Sequence, residues 1–522
     1  MKNISKHISI IAIGFVFLMP LACSKSFLDQ TDTSHISEDA LFNKPEDGVR
    51  LVNAIYDTFH DVDFMLKSLW YQANFLSQDF KNYGGDTFFE TYEVPTSFAP
   101  LNIFWVRAYQ GIARANSAVP IIEKMKADGV LDEELADRLS GEAFFLRGLF
   151  YYYLAANFGG VPLELATVTD DGLHPRNTQD EVFASVEADM TTAFALLQWR
   201  EDMDVADLGR ATKGAALAYK GAAQMWLKKY PDAVTTFDQV TGHYQLMEKY
   251  IDVHEFNHQN NKESIFEVQF LAGGDQSWGH SNDTHWLSSF GMPEEVSNFG
   301  YSYADARLYN SFETGDTRKL ATVLGPGDVH PSPAIRIDMY PKVIDNYTVG
   351  GVTMNTLGTV ANPWKGSDNQ RSGYYGTKFW RDPNVTGSAG PSYIFSGQNA
   401  ILVRYAEILI SKAEAQFRNS DAAGALATIQ LVRDRAFGKL DNPAVVVPPP
   451  PAAGNVLNVI LDEYRHELSG ELSLWFDMRR SGEHINYVQQ KYNIAVPTGK
   501  DLMPIPQLVI SANPTIVQNP GY

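Results

Sequence analysis

The sequence predicts a mainly α protein: a tetratricopeptide-like scaffold of helical hairpins, with long loops and a few short strands. Three observations predict it. Apolar residues recur at i, i+3 and i+4 in several segments, pairs of these segments are separated by tight polar turns, and three long stretches between them have no periodicity.

Within "SGEAFFLRGLFYYYLAANFGG", alanines and aromatics alternate over several turns and stop at Gly159 and Gly160, a pair suited to a helix end. "GAALAYKGAAQMWLKKY", from Gly214, has small residues that let a neighbouring helix approach closely. Pro231 then suits the first turn of a second helix through "DAVTTFDQVTGHY". In the stretch from Leu402 to Phe417, Leu402, Tyr405, Ala406, Leu409, Ala413 and Phe417 share one helix face. Arg404, Glu407, Ser411, Glu414 and Arg418 share another, with Arg404/Glu407 and Glu414/Arg418 spaced for pairing. The turn "NSD" follows, and Ser420 or Asp421 is placed to cap a second helix from Ala422 to Ala436. "ESIFEVQF", residues 263–270, is the clearest strand. Residues 78–98, 271–303 and 325–398 are rich in Gly, Asn, Asp, Ser and aromatics; loops of that length carry function or move. "VVVPPPPAAG", 445–454, reads as an extended polyproline-type linker.

A chain of 522 residues, 44% hydrophobic, can bury a large core. Its formal charge of −20 disfavours nucleic acid and anionic membrane surfaces, which attract basic patches. The apolar run Ile8 to Met19 follows Lys2, Lys6 and His7 and is too short to span a bilayer, so residues 1–22 read as an export signal. Cys23, the single cysteine, stands at its end. It could be a nucleophile or metal ligand, a core residue, or the acyl acceptor of a lipoprotein. With no second cysteine in the chain and its place directly after the export run, the position favours the acyl acceptor, although Pro20 stands where a lipoprotein signal usually has Leu.

"HEFNH", residues 254–258, has the i, i+4 histidine spacing of a zinc helix, with Glu255 as a general base. The context opposes it: "HQNNKE" follows at once and a strand begins near Glu263. No Gly-rich phosphate loop and no Gly-x-Ser-x-Gly elbow is present. In "DEYRHELSGELSLWFDMRRSGE", 462–483, Glu463, Glu467, Glu471 and Asp477 form either an acid pair or a buried ion network. Arg465, Arg479 and Arg480 among them favour the network and should keep the acids ionised.

Taken in order, "CSKSFLD", "ISEDALFNKPEDGVRLVNAIYDTF", "FWVRAYQGIARAN", "GEAFFLRGLFYYYLAANFGGVPL", "ESIFEVQF", "FETGDTR", "LVRYAEILISKAEA", "LWFDMRR" and the C-terminal "LMPIPQLVISANPTIVQNPGY" resemble the SusD/RagB family of outer-membrane nutrient-binding lipoproteins. Two departures lie in the scaffold: Leu474, where the family often has Arg, and the proline run 448–451. The resemblance implies a mature protein of residues 23–522, with a helical-repeat half to about residue 230 and a C-terminal half from 231. It also implies a lipid tether at Cys23 and a place on the outer face of the outer membrane. The partners it implies are a glycan and a SusC-like TonB-dependent transporter, with no catalytic residue, cofactor, metal or nucleic acid. A sugar ring has an apolar face and a hydroxyl rim, so its site should combine aromatic platforms with polar edges. The candidates are Tyr83, Asp86 and Tyr92 in one loop, beside Asn82, and Trp278, Asn282, Asp283 and Trp286 in another. Trp380, Tyr374 and Tyr375 are weaker candidates, and Arg404, Glu407 and Glu414 are assigned to the scaffold. The alternatives are a surface glycosidase and a helical-repeat lipoprotein that binds only protein.

Overall fold

Local signals in the chain start or stop several of the long helices of the computed structural model, which describes residues 41–271, 276–277, 280–281, 287, 291–297, 300–380, 396–450 and 455–522. The long helices are α1 (Pro45–Tyr56), α2 (Ala99–Ala127), α3 (Glu133–Phe158), α4 (Gln179–Leu196), α5 (Lys213–Trp226) and α6 (Tyr230–Val240). They continue with α7 (Tyr405–Arg418), α8 (Ala422–Ala436), α9 (Val456–Leu468), α10 (Leu474–Ser481) and α11 (His484–Tyr492). Asp132, Thr212 and Asp421 each accept a hydrogen bond from a first-turn backbone N–H of α3, α5 and α8, and Thr178 with Glu181 forms a reciprocal capping box on α4. Each such cap stabilises its helix by ~1 kcal/mol. Pro231 sits in the first turn of α6, and Gly159 ends α3 at φ 75°, a conformation that costs glycine little.

Successive helices pack side by side from α2 to α8, and α9 closes on α7 and α8. Glycine opposite an aromatic makes this approach possible: a Cβ added at Gly111 in α2 would lie 2.3 Å from the Phe150 ring of α3, and one at Gly221 in α5 would lie 2.3 Å from the Phe237 ring of α6. Small residues on one helix facing aromatics on the next therefore make knobs and gaps between neighbouring helices.

Four short strands belong to two antiparallel pairs that matter for the site. β1 (Phe80–Asn82) pairs with β3 (Ser302–Ala304), and β2 (Ser264–Val268) pairs with β4 (Ala400–Arg404). The expected helix from Leu402 thus begins later, at Tyr405, because β-branched Ile401 and Val403 are spent pairing with β2. The loop region 291–380 has a small core of its own, in which Trp364, Tyr375 and Trp380 pack with Met292, Leu324, Ile337 and Tyr340.

The acid-rich segment around α9 forms a buried ion network. Arg404 reaches Glu263 Oε1 at 2.7 Å, Glu467 Oε1 at 2.6 Å and Glu471 Oε1 at 2.7 Å. Arg435 bonds Glu263 and Glu467, Arg318 bonds Asp316, Glu463 and Glu467, and Lys378 reaches Glu471 at 2.6 Å. Burial alone would raise the Glu467 carboxyl, but Arg435, Arg404 and Arg318 outweigh it and hold it at about 2. The sequence suggested Arg465, Arg479 and Arg480 as the neutralising cations; in the structure Arg480 does meet Asp477 at 3.0 Å, while the glutamates are neutralised by Arg318, Arg404, Arg433, Arg435 and Lys378. Arg465 pairs with Asp79 at 2.7 Å, Arg480 with Glu414 at 2.9 Å, and Arg479 donates to the Ala156 carbonyl. The expected Arg404/Glu407 pair is likewise replaced by the Arg404 network, whereas Glu414 and Arg418 approach to 3.8 Å. Asp477 differs from the glutamates: burial pushes its carboxyl up to about 6, only partly offset by Arg480 at 3.0 Å, although it stays mostly ionised at neutral pH. Residues far apart along the chain meet beside this network, where Trp70 Nε1 donates to the Gly470 carbonyl at 2.9 Å and Asn74 Nδ2 to that of Glu471 at 2.7 Å.

Candidate ligand-binding face

The β1–β3 pair brings the loop after β1 against residues that lie far along the chain. Tyr83 N–H donates to the Tyr301 carbonyl at 2.6 Å, and the absence of a side chain at Gly84 lets the Tyr301 ring sit where a Cβ would be 2.7 Å away. The Arg371 guanidinium lies 4.0 Å from the centroid of the Tyr83 ring. Arg371 is itself 1% exposed and is held at 2.9 Å by Glu294, which also accepts from Ser367 N–H and Oγ–H at 3.1 Å. Tyr83 is therefore braced on one side by a fixed cation yet is 40% exposed. A cation over an aromatic contributes ~0.5–2 kcal/mol, and here it also limits the rotamers the ring must give up on binding.

Around this ring the loop is ordered by polar contacts. Asn82 accepts from Gly84 N–H at 2.6 Å, and Glu90 accepts from Asn82 N–H at 2.6 Å. Asp86 is half-buried; burial raises its carboxyl, and Lys67 offsets part of that. These groups offer an aromatic plane with a carboxylate in the same loop, a stacking surface and a hydrogen-bond acceptor of the types that engage a sugar ring and its hydroxyls.

Tyr92 does not belong to that face. It is 1% exposed, packs against Trp475, donates its hydroxyl proton to the Leu76 carbonyl at 2.7 Å and accepts from Gln78 Nε2 at 3.2 Å. Its φ of 61° turns the chain inward at this point. Trp380, 2% exposed, and Tyr375 are buried in the core of the 291–380 region and are corrected in the same way. Their polar atoms bond the Gly376 carbonyl at 2.7 Å and the Trp364 carbonyl at 3.0 Å. Tyr374 is half-buried against Tyr309. Cys23, Trp278, Asn282, Asp283 and Trp286 lie outside the described residues. Sequence reasoning missed Tyr301, Arg371 and Glu294, which join Tyr83 only through tertiary pairing and carry no local signal.

The zinc spacing of "HEFNH" dissolves in the structure. His254 and His258 fall in separate 3-10 turns, Tyr250–His254 and Phe256–His258. His254 is buried 3.3 Å from Glu471, while His258 is near Glu255 and Asp252.

A helical-hairpin scaffold thus holds a loop with an exposed aromatic and a half-buried carboxylate. The comparisons identify its family. The SusD family model matches residues 262–522, half of the chain, and a second model, described as starch-binding associating with outer membrane, matches residues 26–227. The chain belongs to the SusD/RagB family. It is similar to a SusD-like protein of Bacteroides ovatus, 23% identical over 90% of this chain and 81% of the relative. It is also similar to SusD-like protein P38 of Formosa agariphila, 23% identical over 92% of each chain. Among solved structures, a SusD homolog from Bacteroides thetaiotaomicron superposes with a TM-score of 0.76, at 20% identity over 94% of this chain and 99% of that one. A laminarin-binding SusD-like protein superposes with a TM-score of 0.71, at 22% identity over 92% of this chain and 100% of that one. These likenesses show the fold.

Proposed function

We propose that this chain is a cell-surface glycan-binding lipoprotein, tethered through Cys23, that captures oligosaccharide or polysaccharide without cleaving it and delivers it to a SusC-like TonB-dependent transporter in the outer membrane. The observation that carries the reading is the braced, exposed Tyr83 ring with Asp86 in its loop. A pyranose lays its C–H face on such a ring while its hydroxyls reach the polar edge. The relatives support the ligand class: one similar structure is a laminarin-binding SusD-like protein, and another is a surface glycan-binding protein of Bacteroides thetaiotaomicron in complex with laminarihexaose. The description of the family model that matches residues 26–227 supports the outer-membrane setting. A tether at Cys23 suits it too, since stable anchoring takes more than one acyl chain and lipoprotein modification supplies several. No helix among the described residues is long and apolar enough to cross a membrane. A non-catalytic role agrees with the ion network, in which the carboxylates around α9 are committed to guanidinium partners.

Affinity electrophoresis against a panel of neutral and anionic polysaccharides, with chromatography of the incubated glycans, tests this. Retardation by at least one polysaccharide with no shorter sugars released is the expected result. Release of shorter sugars, or retardation by none while a barrel partner is still captured, would overturn it.

A further inference from the structure

Asp252, Glu255 and His258 recur at intervals of three along the 3-10 turns Tyr250–His254 and Phe256–His258, with Glu255 as the single residue between the turns. A 3-10 turn holds about three residues, so this spacing returns side chains to one side. One potential ligand atom from each of the three lies within 4.8 Å of the other two. His258 thus parts from His254, its i, i+4 neighbour in sequence, and joins a different set. All three residues are partly exposed, so an ion and its waters can reach them.

These acids differ from those around α9. Glu463, Glu467 and Glu471 each meet a guanidinium or an ammonium, whereas no Lys or Arg among the described residues pairs with Asp252 or Glu255. The charge of the two carboxylates can be met by a proton on His258 or by a metal ion, and the distances separate the two. Where a histidine and a carboxylate share a proton in this chain they close to hydrogen-bond length: His174 Nδ1 is 2.5 Å from Glu164, and His243 Nδ1 is 2.5 Å from Glu201. His258 Nδ1 instead stands 3.8 Å from Glu255 Oε2 and has no hydrogen-bond partner. Ligand atoms held ~2.0–2.1 Å from one tetrahedral ion lie about 3.3 Å apart, which rotation of these partly exposed side chains can reach.

We propose that Asp252, Glu255 and His258 bind one divalent transition-metal ion, with Zn²⁺ the best match, and that the ion clasps the two turns together. The imidazole nitrogen sets the preference, since Ca²⁺ and Mg²⁺ take oxygen shells whereas zinc accepts nitrogen with carboxylate. Water completes the coordination. The clasp steadies a segment that reaches the ion network, where the Tyr250 hydroxyl donates to the Glu467 carbonyl at 2.6 Å and His254 lies 3.3 Å from Glu471. The site shares no residue with the Tyr83 face and does not rest on the glycan reading.

Calorimetric titration of the chelator-treated mature chain, made without a histidine tag, with ZnCl₂, CaCl₂ and MgCl₂ tests the proposal. One Zn²⁺ should bind per chain, at least ~10-fold more tightly than Ca²⁺ or Mg²⁺, and should raise the melting temperature. His258→Gln, Glu255→Gln and Asp252→Asn, each close in shape to the residue replaced, should keep the metal-free melting temperature, bind zinc ~10-fold or more weakly and lose the zinc-induced rise. The visible spectrum of the Co²⁺-loaded chain should change in His258→Gln, and His243→Gln, outside the set, should titrate as wild type. A wild type that binds no zinc, a preference for Ca²⁺ or Mg²⁺, or equal zinc affinity in the three variants overturns the site.

Discussion

Glu467→Gln should weaken the scaffold more than any surface change, by an amount that can be worked from its surroundings. The carboxylate is fully buried and accepts from Arg404 at 2.6 Å, from Arg318 at 3.0 Å and from Arg435. Its pKa of about 2, against an ordinary 4.5, corresponds to ~3 kcal/mol favouring the ionised form in the folded chain. Removing its charge also leaves three guanidiniums short of an anion, and breaking such a buried network costs ~3–5 kcal/mol. Per-residue unfolding entropies give ~1 °C per kcal/mol for a chain this long, so the melting temperature should fall by ~3–5 °C. The sign with pH follows from the depressed pKa: the carboxylate's contribution is complete above pH 4.5 and is lost as the pH falls through about 2. Differential scanning calorimetry of both proteins from pH 7 downward measures this. The gap between them should be constant at neutral pH and close under acid; a variant within ~1 °C of wild type at pH 7 would refute the network as a stabilising device.

Three further outcomes are expected. Asp477 has a pKa raised from 3.8 to about 6, so its contribution is full below pH 3.8 and lost as pH rises through 6; Asp477→Asn should remove that decline, and melting curves from pH 3.5 to 7.5 check it. Tyr92→Ala should cost ~3–5 kcal/mol of stability, as a buried aromatic does, and urea unfolding measures it. Cys23→Ala should move the protein from the membrane fraction to the soluble one, and retention in the membrane fraction would contradict the tether.

Much of the scaffold was legible because its determinants are local. Asp421 caps α8 and Pro231 opens α6, each within one turn of the residues it orders, and the 3.6-residue period marks the buried face. The boundary at Tyr405 was not legible, because Ile401 to Arg404 satisfy a helical stripe and a strand equally well until β2 is present to pair with them. The network was anticipated as a kind of structure, with Asp477 beside Arg480, but not in most of its partners, since Arg318 and Arg435 reach α9 from other elements. The candidate face was only half visible. An aromatic in a loop reads the same whether it is braced outward like Tyr83 or folded inward like Tyr92, and what separates them is tertiary: Arg371 beneath one ring, and Gln78 with the Leu76 carbonyl around the other hydroxyl.

Glycan binding at the proposed Tyr83 face is tested most directly by calorimetric titration of wild type and Tyr83→Ala with the polysaccharide retained most strongly in electrophoresis. Loss of the ring's stacking should weaken binding by ~10-fold with an unchanged melting temperature. Identical titrations for the two proteins would contradict the account.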